Sequence, residues 1–427
     1  RRGKPRISTL SKVPERIRRV EEIIPCQEGD CQCAQCGSAK AVIGYETAEK
    51  LDFIPAEFIV RVIKREKRAC SACKNAKVQT APKAPAILEK SLLSNVLTVD
   101  VIIRKYSYHQ PIYRQRQMIE LETGLSLPES TLNGPVLHAG FLCEGLARAM
   151  RLELLQGSYI QADETTVQVM DRSQQRKNHL GYIFEYSHPK GNVIFEYQKG
   201  RGREGPERFL ETFQGVLQTD GYQVYDGLFP EQIQRMACMA QVRRKFHEAS
   251  QVQSEDPRPV EILVLMRGLY KIEREMREKG LSDEERRAYR QLHSVPEMKR
   301  LKERIEAIAQ EVLNQSALGK ACQYALGQWN ALETFLEFGE VEIDNNHCER
   351  AIRPIAIGRK NWMHIGSHSA APKIMAINSI LETCKRNNIP TREYLLDVLP
   401  GLGDRPQSDL PQLTPLAWKA RQASQSE

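Results

Sequence analysis

Residues 158–197 read SYIQADETTVQVMDRSQQRKNHLGYIFEYSHPKGNVIFEY. Apolar and polar residues alternate along much of this stretch with a period of two, which is typical of β-strands. The alternation predicts three successive strands, at residues 159–163, 181–186 and 192–197. Three strands in a row suggest an antiparallel meander.

A helix and a fourth strand are predicted directly downstream. Residues 206–213 read as the helix, and residues 216–220, VLQTD, read as a strand that Gly221 closes. The order strand, strand, strand, helix, strand is that of a ribonuclease-H-like sheet. The predicted fold class is therefore multidomain α+β, with a ribonuclease-H-like core.

A helical insertion interrupts this core. Residues 254–331 are rich in Glu, Lys, Arg and Leu at helical spacing, with interruptions expected at Gly280 and Pro296. After the insertion, a short helix should begin near Asn345 or Asn346, and Pro354 should kink or stop it.

The region before the core contains clustered cysteines and then a helical connector. Cys33 and Cys36 form one C-x-x-C pair and Cys70 and Cys73 another, which together supply the four thiolates of a structural zinc site. Residues 58–63 between the pairs read as a strand of a zinc-ribbon-like domain. Disulfides are the alternative, and Cys26 and Cys31 are unassigned.

The connector, at residues 91–155, has apolar residues spaced by three and four, as in helices. Residues 125–132 fit the turn and start of the second helix of a helix-turn-helix, which would enter the DNA major groove. Pro135 falls inside that helix, so an ordinary packing helix is an equal alternative.

Composition indicates a cytoplasmic protein that can bind a polyanion. The net charge is +8, and no apolar run is long enough to span a membrane. Eight basic residues stand against one acid in the first twenty residues, which suggests an arm that follows DNA phosphates; a solvated tail is the alternative.

Three carboxylates are the candidate catalytic residues. Asp163 and Asp220 each lie at or near a strand end, and Glu349 lies on the late helix, so all three can meet at one sheet edge. Phosphodiester cleavage uses two divalent ions, and hard ions prefer carboxylate oxygens. Taken singly, each acid also fits a bland structural role: a strand end, a turn and a capping box.

Basic residues occur where a DNA substrate would need them. The predicted DNA contacts, for each of which a solvated helix face is the alternative, are Arg243, Arg244, Lys245, Arg350, Arg353, Arg359 and Lys360.

Five ordered blocks resemble the transposases of the insertion sequence 66 group. They are the cysteine pairs, residues 162–165 (ADET), 218–222 (QTDGY), 343–354 (IDNNHCERAIRP) and 358–362 (GRKNW). The resemblance implies a DDE acid triad that binds two Mg²⁺ or Mn²⁺ ions, and a helical insertion between the second and third acids. The chain departs from the family at Met239 and Gln241, where Trp and His are usual.

The sequence therefore predicts a DNA transposase that binds transposon ends, cleaves DNA and transfers strands. Synapsis of two ends would require at least a homodimer, and accessory transposition proteins are further expected partners. The alternatives are a non-catalytic zinc-dependent DNA-binding regulator and a ribonuclease-H-like nuclease without joining activity. The predicted regions are a basic arm (1–25), zinc domain (26–82), helical region (83–155), core (156–250), insertion (251–334), second core part (335–388) and tail (389–427).

Overall fold

The structure is a computed structural model. The chain forms two compact units, Arg1–Thr80 and Ala81–Glu427. It describes residues 20–25, 31, 35, 38–39, 42–43, 45, 57–69, 78–171, 178–252 and 254–425. The predicted basic arm lies mostly outside these residues. The four predicted zinc ligands, Cys33, Cys36, Cys70 and Cys73, lie outside them entirely.

The described strands are β1 (Lys67–Arg68), β2 (Gln79–Thr80), β3 (Tyr159–Met170), β4 (Asn178–Ser187), β5 (Val193–Gln198), β6 (Gly215–Thr219) and β7 (Ile233–Ala237). The described α-helices are α1 (Asn95–Tyr106), α2 (Ile112–Thr123), α3 (Glu129–Leu155), α4 (Glu204–Leu210), α5 (Met239–Val252), α6 (Arg258–Glu278), α7 (Asp283–Glu311), α8 (Ala317–Gly327), α9 (Trp329–Glu333), α10 (Asn346–Trp362), α11 (Ala371–Arg386), α12 (Thr391–Val398) and α13 (Pro415–Gln425).

In the first unit, β1 and β2 form a short antiparallel pair. The strand predicted at residues 58–63 is wrong, because the structure describes residues 57–66 as belonging to no strand. Its apolar side chains are exposed, Val60 to 91 %, so burial against the described residues does not hold a strand in place. Period-two alternation alone is therefore not sufficient to predict a strand where the side chains are not buried.

The second unit is built on a five-stranded mixed sheet in the order β5-β4-β3-β6-β7. β3, β4 and β5 are antiparallel, as the sequence predicts, and β6 and β7 run parallel to β3. β7 was not predicted, because its sequence IQRMA lacks clear alternation. It is nonetheless paired with β6 along its whole length, from Gly215↔Ile233 to Thr219↔Ala237.

Helix α11 covers the β5 edge of the sheet. The backbone N–H of Val193 donates to Thr383 Oγ1 at 2.9 Å, and that of Phe195 donates to Ser379 Oγ at 2.8 Å. Side-chain hydroxyls therefore satisfy edge groups that would otherwise attract another strand. α11 also packs on α3, where a Cβ on Gly140 would come within 2.8 Å of the Lys373 carbonyl oxygen.

The predicted helical insertion is present as α6–α9 and shares one apolar core with the sheet. Met266, Leu301 and Cys322 from the insertion are buried in the same cluster as Val216 and Met236 from β6 and β7. The expected interruption at Gly280 is present. α6 ends at Glu278, and Gly280 follows it with a φ of 64°, which a residue without a Cβ adopts readily.

The expected interruption at Pro296 is wrong, and Pro354 does not stop its helix; a kink at Pro354 stays a prediction. α7 continues through Pro296, and α10 begins at Asn346 as predicted but continues through Pro354 to Trp362. A helical proline removes one hydrogen bond to the residue four positions earlier, here Leu292 and Arg350. Both of those residues are exposed, so water can bind the released carbonyl groups.

Pro135 likewise lies inside a continuous helix, α3, and is buried there with Leu132, Val136 and Ala139. This side of α3 therefore packs in the interior of the unit, in agreement with the alternative to a recognition helix. Among the described helices, none is both long enough and apolar enough to cross a bilayer.

Candidate active site

Two predicted catalytic acids, Asp163 and Asp220, lie side by side at one edge of the sheet. β3 and β6 are parallel neighbours with Gln161 aligned to Gln218, so the same register continued by two residues aligns Asp163 with Asp220. β6 ends at Thr219, and Asp220 is the first residue beyond it. The sheet therefore brings together two acids that are far apart in the sequence.

The protein holds these two carboxylates at an electrostatic cost. Burial, followed by repulsion from Asp220, raises the pKa of Asp163 well above its usual range. Asp163 Oδ1 accepts a 2.8 Å hydrogen bond from the Glu164 N–H, and Asp220 Oδ1 accepts one of 2.9 Å from the Tyr222 N–H. A pair of partly buried acids with this unfavourable repulsion is a common feature of functional sites.

A buried network of hydrogen bonds holds the segment between the insertion and α10 against the sheet. The Gln161 side chain donates to the Asp344 carbonyl at 3.0 Å, and the Gln218 side chain donates to the Glu342 carbonyl at 3.0 Å. Tyr159 donates from its hydroxyl to Gln218 Oε1 at 2.5 Å. Because both glutamines precede the acids on their strands, the network fixes residues 342–344 beside the acid pair.

Helix α10 is anchored next to Asp163. Asn345, immediately before the helix, donates from Nδ2 to the Ala162 carbonyl at 2.9 Å. The third predicted acid, Glu349, lies in the first turn of α10. Its carboxylate is not directed into a cluster with the other two acids: it accepts hydrogen bonds from Arg244 Nη2 at 3.3 and 3.5 Å.

Across the described residues, no group of three or more His, Cys, Asp or Glu side chains is arranged to hold a metal ion. The structure thus brings together Asp163 and Asp220, and it places the helix of Glu349 beside them with that side chain paired elsewhere. Completing the triad requires Glu349 to leave Arg244. The pair is accessible, with the two side chains 26 % and 50 % exposed respectively, so its separation costs little.

Sequence reasoning missed a buried acid, Glu185, which is aligned with Asp163 across the β3–β4 pair. The Cys348 thiol donates to Glu185 Oε2, and Arg386 Nη2 lies 3.7 Å from Glu185 Oε1. Arg386 also donates to the His347 carbonyl at 3.1 Å and the His188 carbonyl at 2.8 Å.

Burial, opposed by Arg386, raises the pKa of Glu185 to about 7. The network therefore joins β4, the first turn of α10 and α11. The sequence signal for it was a single acid in the otherwise apolar run YIFEY.

A second missed cluster lies beside the acid pair. Glu164, with only 6 % of its side chain exposed, accepts a 2.6 Å hydrogen bond from Arg201 Nη2. The guanidinium lies 3.7 Å from the centre of the Tyr222 ring. Glu164 is the residue directly after Asp163, and Tyr222 is two residues after Asp220, so this cluster borders both acids.

The predicted DNA-contacting residues fall into two groups. Those with exposed side chains on α5 and α10 are Arg243, Arg244, Lys245, Arg350, Arg353 and Lys360. Arg359 differs, because its Nη1 donates to Thr165 Oγ1 at 3.0 Å, Thr166 Oγ1 at 3.1 Å and the Thr166 carbonyl. Arg359 therefore attaches α10 to β3.

Residues 90–373, which include the five-stranded sheet and helix α10 with Glu349, match the sequence model of the family described as Transposase IS66 family. The chain belongs to the IS66 transposase family. A second match, to the zinc-finger binding domain of transposase IS66, covers residues 30–74 of this transposase. That range contains all four predicted zinc ligands.

Curated relatives of the transposase include three proteins of Sinorhizobium fredii (strain NBRC 101917 / NGR234), each described only as an uncharacterized protein. Protein y4jD is 29 % identical over 97 % of this chain and 83 % of its own length. Protein y4qI is 31 % identical over 94 % of this chain and 76 % of its own length. Protein y4hP is 28 % identical over 96 % and 77 %.

Proposed function

We propose that this IS66 transposase is a DDE-type enzyme with a ribonuclease-H-like core, which cleaves DNA at transposon ends and transfers the freed strand to a target. Asp163, Asp220 and Glu349 would be its three catalytic acids. The observation that carries the proposal is the position of the first two acids at one edge of the sheet, with Asp163 on β3 and Asp220 directly after the parallel neighbouring strand β6. Membership of the transposase family supports the substrate class.

The residues present fit divalent cations. Asp163 and Asp220 would supply the hard oxygen ligands that Mg²⁺ and Mn²⁺ prefer, and a bound cation would offset both the burial and the repulsion from Asp220 that raise the pKa of Asp163. When bound, two such ions would activate the attacking oxygen and neutralise charge on the leaving oxygen. Glu349 would complete the ligand set after it separates from Arg244.

The protein side chains have separate tasks in this scheme. Asn345 and the two buried glutamines hold the first turn of α10 against β3 and β6. Arg244, once released from Glu349, would bind a DNA phosphate together with Arg243 and Lys245 on the same exposed surface of α5. Phosphate contacts of this kind position a duplex without reading its sequence.

The N-terminal unit would recognise transposon ends. Cys33, Cys36, Cys70 and Cys73 would hold one structural Zn²⁺, which the family match over residues 30–74 supports. The basic arm and the helices at residues 83–155 would add DNA contacts. Synapsis of two ends would involve at least a dimer and accessory transposition proteins.

The test is cleavage and joining of labelled duplexes that carry the ends of the element, in Mg²⁺ or Mn²⁺. Asp220→Asn is expected to abolish cleavage while end binding persists, because the amide keeps the shape and loses the charge. Asp226→Asn is the matched control: Asp226 lies six residues later and pairs with Arg235. Equal cleavage by wild type and Asp220→Asn would refute the assignment of the second acid.

The same assay separates the alternative functions. Cleavage by the wild type without any joined product would indicate a nuclease. End binding without metal-dependent cleavage would indicate a DNA-binding regulator, for which the Glu349–Arg244 pair would be the permanent arrangement.

A further inference from the structure

Arg201 is presented to solvent by a short turn between β5 and α4. The turn, residues 199–203, reads KGRGR, and all five residues are exposed. A Cβ at Gly200 would meet no atom closer than 3.9 Å, so the backbone on the N-terminal side of Arg201 is open. The position suits a side chain that reaches over the edge of the sheet.

The Tyr222 ring and the Glu164 carboxylate fix the orientation of the Arg201 guanidinium. It lies over the Tyr222 ring, 3.7 Å from the ring centre, and the Tyr222 hydroxyl donates to the Arg201 carbonyl at 3.0 Å. One N–H, on Nη2, is bound to Glu164 Oε1 at 2.6 Å. Among the residues that the structure describes, no other hydrogen bond to this guanidinium is present, and the side chain is 48 % exposed.

This arrangement holds an exposed cationic group in a fixed orientation next to the acid pair. Stacking on an aromatic ring holds the planar fork of arginine still, so less conformational entropy is lost when the fork binds a phosphate. Glu164 is close enough to Asp163 and Asp220 for the three carboxylates to repel one another, so an anion bound by Arg201 would lie near the acids. If the ion pair between Glu164 and Arg201 were only structural, neither the stacking of Arg201 on Tyr222 nor its exposed N–H donors would be needed.

We propose that Arg201 binds a backbone phosphate of the DNA strand that enters the acid edge, with Tyr222 as its stacking support. In the free protein Glu164 occupies one donor of Arg201 and competes with the phosphate. This inference rests on the proposed function, since it assumes a DNA substrate at Asp163 and Asp220.

The first experiment measures the affinity of the full chain for a fluorescent duplex of arbitrary sequence, without added Mg²⁺ or Mn²⁺, over a series of salt concentrations. Arg201→Ala is expected to weaken binding about tenfold and to lower the salt slope by about one, as for one lost phosphate contact. Arg201→Lys, which keeps the charge but not the stacked fork, should fall between the two. Arg203→Ala is the matched control, because Arg203 lies on the same turn and pairs with Glu207.

The second experiment removes the competitor. Glu164→Gln is expected to tighten binding several-fold in the wild-type background and to have a much smaller effect when Arg201 is already alanine. This coupling distinguishes release of Arg201 from a general loss of negative charge, which would act equally in both backgrounds. Thermal unfolding of each variant, followed by tryptophan fluorescence, checks that the fold is retained.

The outcomes distinguish failure of the proposed function from failure of the Arg201 inference alone. No binding of any duplex by the wild type would overturn the proposed function and this inference with it. Normal wild-type binding would overturn the inference alone if Arg201→Ala behaves like Arg203→Ala, or if Glu164→Gln has the same effect with and without Arg201.

Discussion

Replacement of Glu185 by glutamine should change how the stability of the second unit depends on pH. Glu185 is completely buried on β4, beside Asp163, and its pKa is raised from 4.5 to about 7. Between these two values the native state binds a proton that the unfolded state does not. The free energy of unfolding therefore falls as pH rises from 4.5 through 7.

The magnitude follows from the size of the pKa change. One pKa unit corresponds to 1.36 kcal/mol, so ionisation of Glu185 costs about 3 kcal/mol by pH 8. Glu185→Gln resembles the protonated acid at every pH. We expect the variant to match the wild type near pH 4 and to be about 3 kcal/mol more stable at pH 8.

Urea unfolding between pH 4 and 8, in EDTA, measures this difference. All three tryptophans, Trp329, Trp362 and Trp418, lie in the second unit, so their fluorescence reports on the unit that contains Glu185. Glu211→Gln on the exposed surface controls for the loss of one negative charge. Parallel stability curves for wild type and Glu185→Gln would refute the reasoning, because the acid would then titrate alike in the folded and unfolded states.

Three further predictions concern other parts of the chain. Arg290→Met should lower the free energy of unfolding by about 3–5 kcal/mol in urea titrations, because it leaves the buried Glu273 without its bidentate partner; Arg290→Met combined with Glu273→Leu should recover only part of the loss, because three backbone carbonyls still lack the donor that Arg290 supplied. Arg244→Ala should tighten Mn²⁺ binding, measured by electron paramagnetic resonance without DNA, because it releases Glu349; unchanged affinity would count against Glu349 as a ligand. Cys70→Ser should lower the zinc content of the purified protein, measured by atomic emission, and a full complement of zinc in this variant would exclude the predicted site.

Local patterns were sufficient to predict the strands that carry the first two acids. The alternation around Asp163 and the strand before Asp220 both depend on the side chains of a few consecutive residues, and the structure contains both strands. The start of α10 at Asn346 was predicted for a similar reason. β7 was missed because its place is set by pairing with β6, which the sequence IQRMA does not reveal.

Features that depend on tertiary contacts could not be predicted. Pro296 and Pro354 stop isolated helices, but α7 and α10 are held by packing along their length and continue through them. Glu349 pairs with Arg244, and Arg359 binds β3. Both contacts depend on side-chain conformations that join groups more than a hundred residues apart in the sequence. Sequence spacing carries no information about them.

Helix α10 is attached to β3 at both ends: Asn345 binds the Ala162 carbonyl before the helix, and Ile365 pairs with the strand near Val169 after it. Seven residues of strand cover about 23 Å and the seventeen residues of the helix about 25 Å, so the two lengths match. One residue inserted into α10 would rotate everything beyond it by about 100° and misalign an attachment. Evolution of this chain should therefore reject single-residue insertions and deletions between Asn345 and Ile365.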